Sequence, residues 1–420
     1  MTRTLLAAFA TTALTALPAL AVDKSAVLTT YADIAEAGYG DSLATAKALQ
    51  DALKALAETP SPEALQAAKT AWLHARVPYQ QTEVFRFGNP IVDDWEGRVN
   101  AWPLDEGLID YVDISYGGAT DENEYAALNV IANPAFKLSG ADVDASTITP
   151  ALIAETLNEA DAVESNVARG YHAIEFLLWG QDLNGTAPGA GNRPWTDYAQ
   201  GDACTNGNCD RRAAYLLAAG ALLVGDLEEI AAAWGKDGAA RAAVMADADA
   251  GINAMLTGMG SLSYGELAGE RMKLGVLLND PEEEQDCFSD NTHNSHFYDG
   301  MGIRNVYTGQ YVRIDGSLVS GPSLSDLVAE KDAAVDSGLS ASLNDTMLKL
   351  GRIKTAAEAG FTYDQMIARG NAAGEALVLG AVDALVAQTR DIERAVSVLG
   401  LDRIAFEGSD SLDNPGAVFK

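Results

Sequence analysis

The chain has 420 residues, of which 48% are hydrophobic, and a formal net charge of −32 at pH 7. This hydrophobic share supports a large buried core and excludes intrinsic disorder. The acidic balance excludes nucleic acid and an anionic membrane surface as expected partners, because both attract basic proteins.

Residues 1–21 have the pattern of a secretory signal peptide. Arg3 gives a positive start, residues 5–20 are apolar, and Ala-Leu-Ala at residues 19–21 is a small-x-small cleavage site. The apolar run is short for a membrane span. We therefore expect a soluble exported protein, periplasmic in a Gram-negative source, with a membrane-anchored N-terminus as the alternative.

The remaining elements are mostly predicted helices. Leu49, Leu53 and Leu56 give residues 41–58 an amphipathic spacing, and residues 61–63 supply an N-cap, a proline and an acid for the next helix. That second helix is expected to continue past Trp72 to about residue 87, with a kink at Pro78. Further helices are expected at residues 151–179, 210–234, 239–259, 265–278, 323–336, 343–359, 362–369 and 372–399.

Two irregular segments, residues 181–209 and 279–302, interrupt the helical pattern. Weak alternation at residues 306–314 predicts one short hairpin. We expect an all-α protein of two helical-bundle-like domains, residues 22–203 and residues 204–420.

The cysteines agree with export. Cys204 and Cys209 lie close together in a turn-rich segment, which predicts a local disulfide in an oxidising compartment. Two cysteines alone make a poor zinc site. Cys287 is expected to be a buried thiol. No Cys-x-x-Cys-His motif occurs in the sequence, which excludes covalent c-type haem.

The most informative motif is Gly-x-His-x-x-Glu, formed by Gly170, His172 and Glu175. A His and a Glu three residues apart share one face of a helix, so both can contact one cation. Imidazole and carboxylate suit iron, zinc or manganese. Gly170 would cost ~1 kcal/mol inside a helix, which indicates the close approach of another backbone or of a ligand. The alternative is a structural His–Glu hydrogen bond in a buried helix interface.

A second candidate group lies on one helical stripe, which contains Trp72, Arg76, Tyr79 and Glu83. In the functional interpretation, Glu83 supplies a metal ligand and Arg76 orients or neutralises a carboxylate. The alternative is a hydrogen-bond network at the edge of the core. Asp105, in the loop that follows, is a further candidate carboxylate.

A third candidate group is the polar segment that contains His293 and His296 among Asp286, Asp290 and Asp299. In a loop this spacing fixes no geometry, so a hydrogen-bonded structural loop is the alternative interpretation.

Sequence patterns of familiar catalytic sites are missing. The chain has no His-Glu-x-x-His, no Gly-x-Ser-x-Gly and no phosphate-binding glycine loop after a strand. A zinc peptidase needs three protein ligands, a water and a general base, whereas the helix of His172 supplies two groups. We therefore predict no catalytic residue.

Several segments together resemble the imelysin family, in its iron-regulated protein A branch. They are Gly-x-His-x-x-Glu at residues 170–175, Ala-Arg-x-Pro-Tyr-x-x-Thr-Glu at 75–83, Asn-Ala-Trp-Pro-Leu-Asp at 100–105, Leu-Ser-Tyr-Gly-Glu-Leu-Ala-Gly-Glu-Arg-Met at 262–272 and Asp-Cys-Phe-Ser-Asp-Asn-Thr-His-Asn-Ser-His at 286–296. The resemblance covers essentially the whole mature chain. It implies an all-helical fold of two domains with the motif near their interface, bacterial export and a role in iron uptake.

The resemblance also implies what the site binds. We expect iron, an iron chelate, haem or another divalent metal at His172 and Glu175, in a cleft between the domains. Glu83 and Asp105 are predicted to complete the metal site. The further candidate ligand-binding residues are Arg76, Tyr79, Gly170, His293 and His296. An iron-transport component of the inner or outer membrane is the expected protein partner.

Two other functions stay open from the sequence. The family carries the label of a metallopeptidase that cleaves insulin, so a metal-dependent peptidase is one alternative. A helical adaptor, in which the motif is only structural, is the other.

Overall fold

The computed structural model describes residues 22–419, so the predicted signal peptide lies outside the described residues. The structure is 65% helical and 4% strand, which confirms the predicted all-α class. The helices are α1 Lys24–Glu58, α2 Pro62–Gln80, α3 Pro90–Asn100, α4 Glu106–Ile109, α5 Gly170–Trp179, α6 Cys209–Trp234, α7 Ala239–Met245, α8 Ala248–Ser261, α9 Leu274–Leu278, α10 Thr292–Thr308, α11 Leu324–Lys331, α12 Ala333–Glu358, α13 Tyr363–Ile367, α14 Ala372–Val398 and α15 Asp410–Asp413.

The described residues also contain two small antiparallel hairpins, two stretches of π-helix and several short 3₁₀ helices. The hairpins pair β1 Ala135–Leu138 with β2 Ala141–Asp144, and β3 Gln310–Val312 with β4 Leu318–Ser320. The π-helical stretches are Leu152–Leu157 and Leu262–Lys273, and the second joins α8 to α9.

Helix α2 begins as predicted but ends early. The Ser61 hydroxyl accepts a hydrogen bond from the Ala64 N–H at 3.1 Å, which is the expected N-cap, and Pro62 is the first helical residue. Pro78 lies inside the last turn, and the helix stops at Gln80. The expected continuation to residue 87 is therefore wrong, because a turn and a short 3₁₀ helix follow.

The described residues bury two hydrophobic clusters. The larger one surrounds α1, which packs against α2 and α6. The smaller one joins the π-helical segment Leu262–Lys273 to α12, α13 and α14. The larger cluster contains residues on both sides of the 203/204 position, and the division into two domains at that position stays a prediction.

Three segments differ from their predicted form. Residues 151–179 are not one helix, because Glu159 and Asp161 adopt left-handed backbone conformations that end the π-helical stretch before α5 begins. The polar segment at residues 292–302 is not a loop but the first part of α10. The hairpin expected at residues 306–314 lies at 310–320, since α10 continues to residue 308.

The predicted disulfide between Cys204 and Cys209 is present, just before and at the first residue of α6. Cys287 is a free and partly buried thiol. Burial raises the pKa of this thiol well above its ordinary value, so it is not a reactive thiolate at neutral pH.

Helix α14 is the one helix among residues 22–419 that is long and apolar enough to span a membrane. Its contacts with α12 and with the π-helical segment account for this composition, because its buried face belongs to the smaller hydrophobic cluster.

Candidate functional site

The Gly-x-His-x-x-Glu motif forms the first two turns of α5. Gly170 is the first residue of the helix and has φ +85°, in the left-handed region that favours glycine. A Cβ atom at this position would lie 2.6 Å from the Val99 carbonyl oxygen on α3. The predicted close approach is therefore that of a neighbouring backbone, and Gly170 lets α5 pack directly on α3.

His172 and Glu175 lie on one face of α5, as their spacing predicts. The His172 Nδ1 atom is 3.0 Å from a Glu175 carboxylate oxygen. It is also 3.8 Å from a carboxylate oxygen of Asp286, which the segment before α10 supplies. One ligand atom from each of the three residues lies within 4.8 Å of the other two. All three side chains are 0% exposed.

The distances and donor types of this group are compatible with a metal site. Ligand atoms about 2.1 Å from one ion lie about 3 to 3.5 Å from one another, close to the two distances that involve His172. The other ring nitrogen of His172, Nε2, is buried without a hydrogen-bond partner among residues 22–419, and an ion held at Nδ1 would not contact it, because the two ring nitrogens point in diverging directions. One imidazole and two carboxylates are a donor set for iron, manganese or zinc.

Polar neighbours hold both carboxylates in place. Glu175 accepts hydrogen bonds from the Ser289 N–H at 2.9 Å and from the Ser289 hydroxyl at 2.6 Å. Asp286 accepts a hydrogen bond at 2.8 Å from Asn291 and another from the Ser295 hydroxyl. Partners of this kind orient ligating groups in metal sites.

Arg76 supplies the positive charge beside the site. Its guanidinium donates to Asp286 at 2.8 Å and to Asn100 at 2.6 Å, and the side chain is 2% exposed. The guanidinium also lies over the Tyr171 ring, 5.0 Å from the ring centroid. Arg76 was predicted to orient or neutralise a carboxylate, and in the structure it forms a buried ion pair with Asp286.

The protonation states follow from burial and charge. Burial, together with Arg76, lowers the pKa of His172 to about 3, so its imidazole is neutral at neutral pH. Burial and the Asp286 carboxylate raise the pKa of Glu175 well above its ordinary value. Burial also opposes ionisation of Asp286, but Arg76 outweighs it and lowers the pKa of Asp286. Neutral imidazole is the form that binds metals.

Glu83 lies beside this group rather than in it. Its carboxylate accepts from Arg271 at 2.8 Å and from the Asn100 amide at 3.3 Å. Asn100 in turn accepts from Arg76, so a chain of hydrogen bonds connects Glu83 to Asp286. The predicted stripe is thus divided between α2 and the 3₁₀ helix Glu83–Phe85, and its residues belong to a buried network in which Glu83 positions other groups.

Asp105 belongs to a different network. Its carboxylate accepts hydrogen bonds from Tyr116 at 2.9 Å, from Ser165 at 2.6 Å and from Asn123 at 2.5 Å. These contacts fix the loop before α4. The structure does not bring Asp105 into the group of His172, Glu175 and Asp286.

The other predicted ligand-binding residues surround the site without joining it. Tyr79 stacks on Tyr171 with ring centroids 4.9 Å apart. His293 is 3.0 Å from the Asn294 amide, and His296 packs edge-on against Tyr363. Burial lowers the pKa of His293 to about 4 and that of His296 to about 3. His74 is exposed on α2.

Ser289 is a contributor that the sequence did not single out, and Asp286 was named there only among the carboxylates around His293 and His296. Both belong to the Asp-Cys-Phe-Ser-Asp segment, which carries part of the resemblance, but its distance along the chain from α5 gave no sign of contact. Their signal in the sequence is a carboxylate and a hydroxyl three residues apart, just before a helix of buried polar residues.

A cavity of about 700 Å³ lies next to the buried network and is lined by Asn100, Arg271 and Gln285. Its wall is acidic, with six glutamates against two arginines. Negative charges that line a concave surface focus the electric field inside it, so this wall raises the local concentration of cations. Asn100 lines this cavity and accepts a hydrogen bond from Arg76, which in turn donates to Asp286. The Asn100–Arg76 layer therefore lies between the cavity and Asp286.

Comparisons with known proteins agree with this architecture. A solved structure from Parabacteroides distasonis ATCC 8503, provisionally named an iron-regulated protein A precursor, superposes with a TM-score of 0.64 at 18% identity, over 90% of this chain and 95% of that one. At this identity the likeness establishes the fold.

A curated relative, iron-regulated protein A of Synechococcus elongatus, is 37% identical over 71 residues. The match spans 17% of this chain and 20% of that relative's length. The model of the imelysin family, Peptidase_M75, matches residues 35–392, which is most of the chain. The chain therefore belongs to the imelysin family.

Proposed function

We propose that this protein is a periplasmic binding protein of bacterial iron uptake, which holds an iron ion at His172, Glu175 and Asp286. The observation that carries the proposal is the buried group itself, in which three ligand atoms from two distant segments lie within 4.8 Å of one another. The ion is the cargo of this site, and the protein supplies its ligands.

Charge and donor type support a cation. The group contains two carboxylates, while Arg76 supplies one compensating positive charge. A buried carboxylate without full compensation is costly, and a bound cation removes that cost. The set of one nitrogen and two oxygens suits iron in preference to a soft thiophilic ion.

A single ion fits the group better than haem does. A haem needs an open face beside its ligating histidine, and the His172 side chain is 0% exposed. His172 is also enclosed by Glu175 and Asp286 on its own side of α5. Ion binding requires a rearrangement of the Arg76–Asn100 layer, whereas haem binding would require the packing of α5 to open.

The geometry gives less support to a peptidase. A metallopeptidase needs room for a metal-bound water and a peptide, together with a general base. Glu175 is held by Ser289, and Asp286 is held by Arg76, Asn291 and Ser295. Neither carboxylate is free to act as a base on a substrate, so binding without turnover is the function that the site supports best.

The assignments of iron and of the compartment have separate supports. The assignment of iron rests on the names of the relatives, which call them iron-regulated proteins. The assignment of export rests on the predicted signal peptide at residues 1–21. In this account the protein delivers its ion to an iron-transport component of the inner or outer membrane.

An anaerobic titration with Fe²⁺ tests the proposal. We expect one site per chain in the mature protein, and at least a 100-fold loss of affinity in His172→Ala. The matched control is His74→Ala, because His74 is an exposed histidine on α2 and should not affect binding. Zn²⁺, Mn²⁺ and haem serve as competing ligands in the same assay.

Three outcomes would contradict the proposal. Equal Fe²⁺ affinity in His172→Ala and His74→Ala would remove the site from α5. Tight stoichiometric binding of haem that depends on His172 would replace the single ion by haem. Cleavage of peptides by the metal-loaded protein that disappears in His172→Ala would establish the peptidase alternative.

A further inference from the structure

A second group of carboxylates lies where three separate segments meet. It contains Asp182 from the loop after α5, Asp290 from the segment before α10 and Asp364 from α13. One carboxylate oxygen from each residue lies within 4.8 Å of the other two. Among residues 22–419, none of these three carboxylates lies within 4.0 Å of a charged nitrogen of Lys, Arg or His.

Two buried carboxylates of this region lack partners. Asp364 is 2% exposed, and neither of its carboxylate oxygens has a hydrogen-bond partner in the described part of the chain. Glu284 is also 2% exposed, and both of its oxygens are likewise without a partner there. Buried polar groups are otherwise satisfied in native proteins. The unpartnered Asp364 carboxylate, which has an oxygen within 4.8 Å of those of Asp182 and Asp290, therefore indicates a missing partner.

A small cavity of about 10 Å³ lies to one side of the three aspartates. Asp182 and Glu284 line it together with Cys287 and Phe288, whereas Asp290 and Asp364 are not part of its lining. Glu284 therefore lies beside the group of three aspartates rather than in it.

The electrostatic state of the cluster also calls for a cation. Burial and the Asp364 carboxylate raise the pKa of Asp290 to about 7. The carboxylates therefore repel one another, and a divalent cation between them would reverse that repulsion.

We propose that Asp182, Asp290 and Asp364 form a calcium site. The donors are all oxygens, which hard cations prefer over transition metals. Calcium accepts six to eight oxygens and takes carboxylates in either a monodentate or a bidentate mode. Magnesium keeps several of its waters and demands near-ideal octahedral geometry, to which carboxylates from three separate segments are less suited.

This site is connected to the proposed iron site without depending on it. Asp290 lies at the end of the segment that carries Asp286 and Ser289, two of the groups that form or orient the site on α5. Calcium would fix this segment against the loop after α5 and against α13. Binding at the two sites is therefore expected to be mutually favourable.

Thermal unfolding and calorimetric titration of the calcium-free mature protein test the proposal, with CaCl₂ and MgCl₂ as the probes. We expect CaCl₂ to raise the midpoint of unfolding and to bind once per chain. Asp364→Asn should abolish both effects. The matched control is Asp383→Asn, an exposed aspartate on α14 that should respond as the wild type does.

Two further comparisons separate this site from the other one and from misfolding. His172→Ala should keep the full response to CaCl₂. Without calcium, Asp364→Asn should unfold at the wild-type temperature or above it, because the variant removes a buried unpaired charge. An equal response to CaCl₂ in Asp364→Asn and wild type, no response in wild type, or a stronger response to MgCl₂ would overturn the assignment.

Discussion

Replacement of Gly170 by alanine tests whether the first residue of the Gly-x-His-x-x-Glu motif contributes to packing or to ligand binding. In the structure this glycine serves the packing of α5 on α3 and does not contact a ligand. Its φ of +85° is unfavourable for alanine, and the added Cβ would lie 2.6 Å from the Val99 carbonyl oxygen and 2.8 Å from the Val99 carbonyl carbon. Both atoms belong to the backbone, so they cannot move aside as a flexible side chain would.

The expected loss of stability has two parts. A non-glycine residue in the left-handed region costs about 1 to 2 kcal/mol. Overpacking against a fixed neighbour costs about 1 to 3 kcal/mol. Gly170→Ala should therefore lower the free energy of unfolding by about 2 to 5 kcal/mol, in the absence of any metal.

Urea unfolding followed by tryptophan fluorescence measures this difference. The matched control is Gly97→Ala, which lies on α3 near Val99 and whose added Cβ would meet no atom within 4 Å. The control should be stabilised by about 0.5 to 1 kcal/mol, because alanine is the better helix former. Equal stability of Gly170→Ala and wild type, with a loss of metal binding alone, would refute the packing argument.

Two further predictions concern other residues. Ser289→Ala removes the hydroxyl that donates to Glu175 at 2.6 Å, and we expect about a 10- to 100-fold loss of Fe²⁺ affinity in the anaerobic titration. Asp110→Asn breaks a buried ion pair with Arg193 and Arg212, at 2.7 and 2.6 Å, and should cost about 3 to 5 kcal/mol of unfolding free energy at pH 7. Burial acts to raise the pKa of Asp110, but both arginines lower it below the ordinary value, so wild type gains this stability above about pH 4. The difference between wild type and Asp110→Asn should therefore shrink as the pH falls below 4 in urea unfolding curves.

Each of these predictions has its own control. Ser342→Ala removes another hydroxyl that donates to a carboxylate, that of Asp391, and should leave Fe²⁺ affinity unchanged. For Asp110→Asn, a stability difference that stays constant from pH 7 to pH 3 would contradict the assignment of an ionised Asp110.

The helical class and several helix ends were predictable because their signals are local. The Ser61 cap and the Pro62 start of α2 need only neighbouring residues, and the same is true of Thr362 and Gln365 at α13. By contrast, α10 buries His296 and Asp299 instead of an apolar stripe, so hydrophobic periodicity could not find it. Tertiary contacts, which a single sequence does not display, stabilise that helix.

The candidate site likewise has a part with a local signal and a part without one. The contact between His172 and Glu175 was predictable because three residues of helix place them on one face. Asp286 is more than a hundred residues away from them, and only the contact of α5 with the segment before α10 brings it within reach. Glu83 and Arg76 were predicted to share one helical stripe, but α2 ends at Gln80 and Glu83 lies in the 3₁₀ helix that follows. The pairing of Glu83 with Arg271 depends on a segment far along the chain.

The metal content of the mature protein, purified from the periplasm without chelators, tests the central claim most directly. Elemental analysis should find about one iron per chain in wild type and none in the double variant His172→Ala/Glu175→Ala. Equal iron in the two proteins, or none in either after reconstitution with iron, zinc and haem, would contradict the account. The motif would then be a structural part of the interface between α5 and its neighbours.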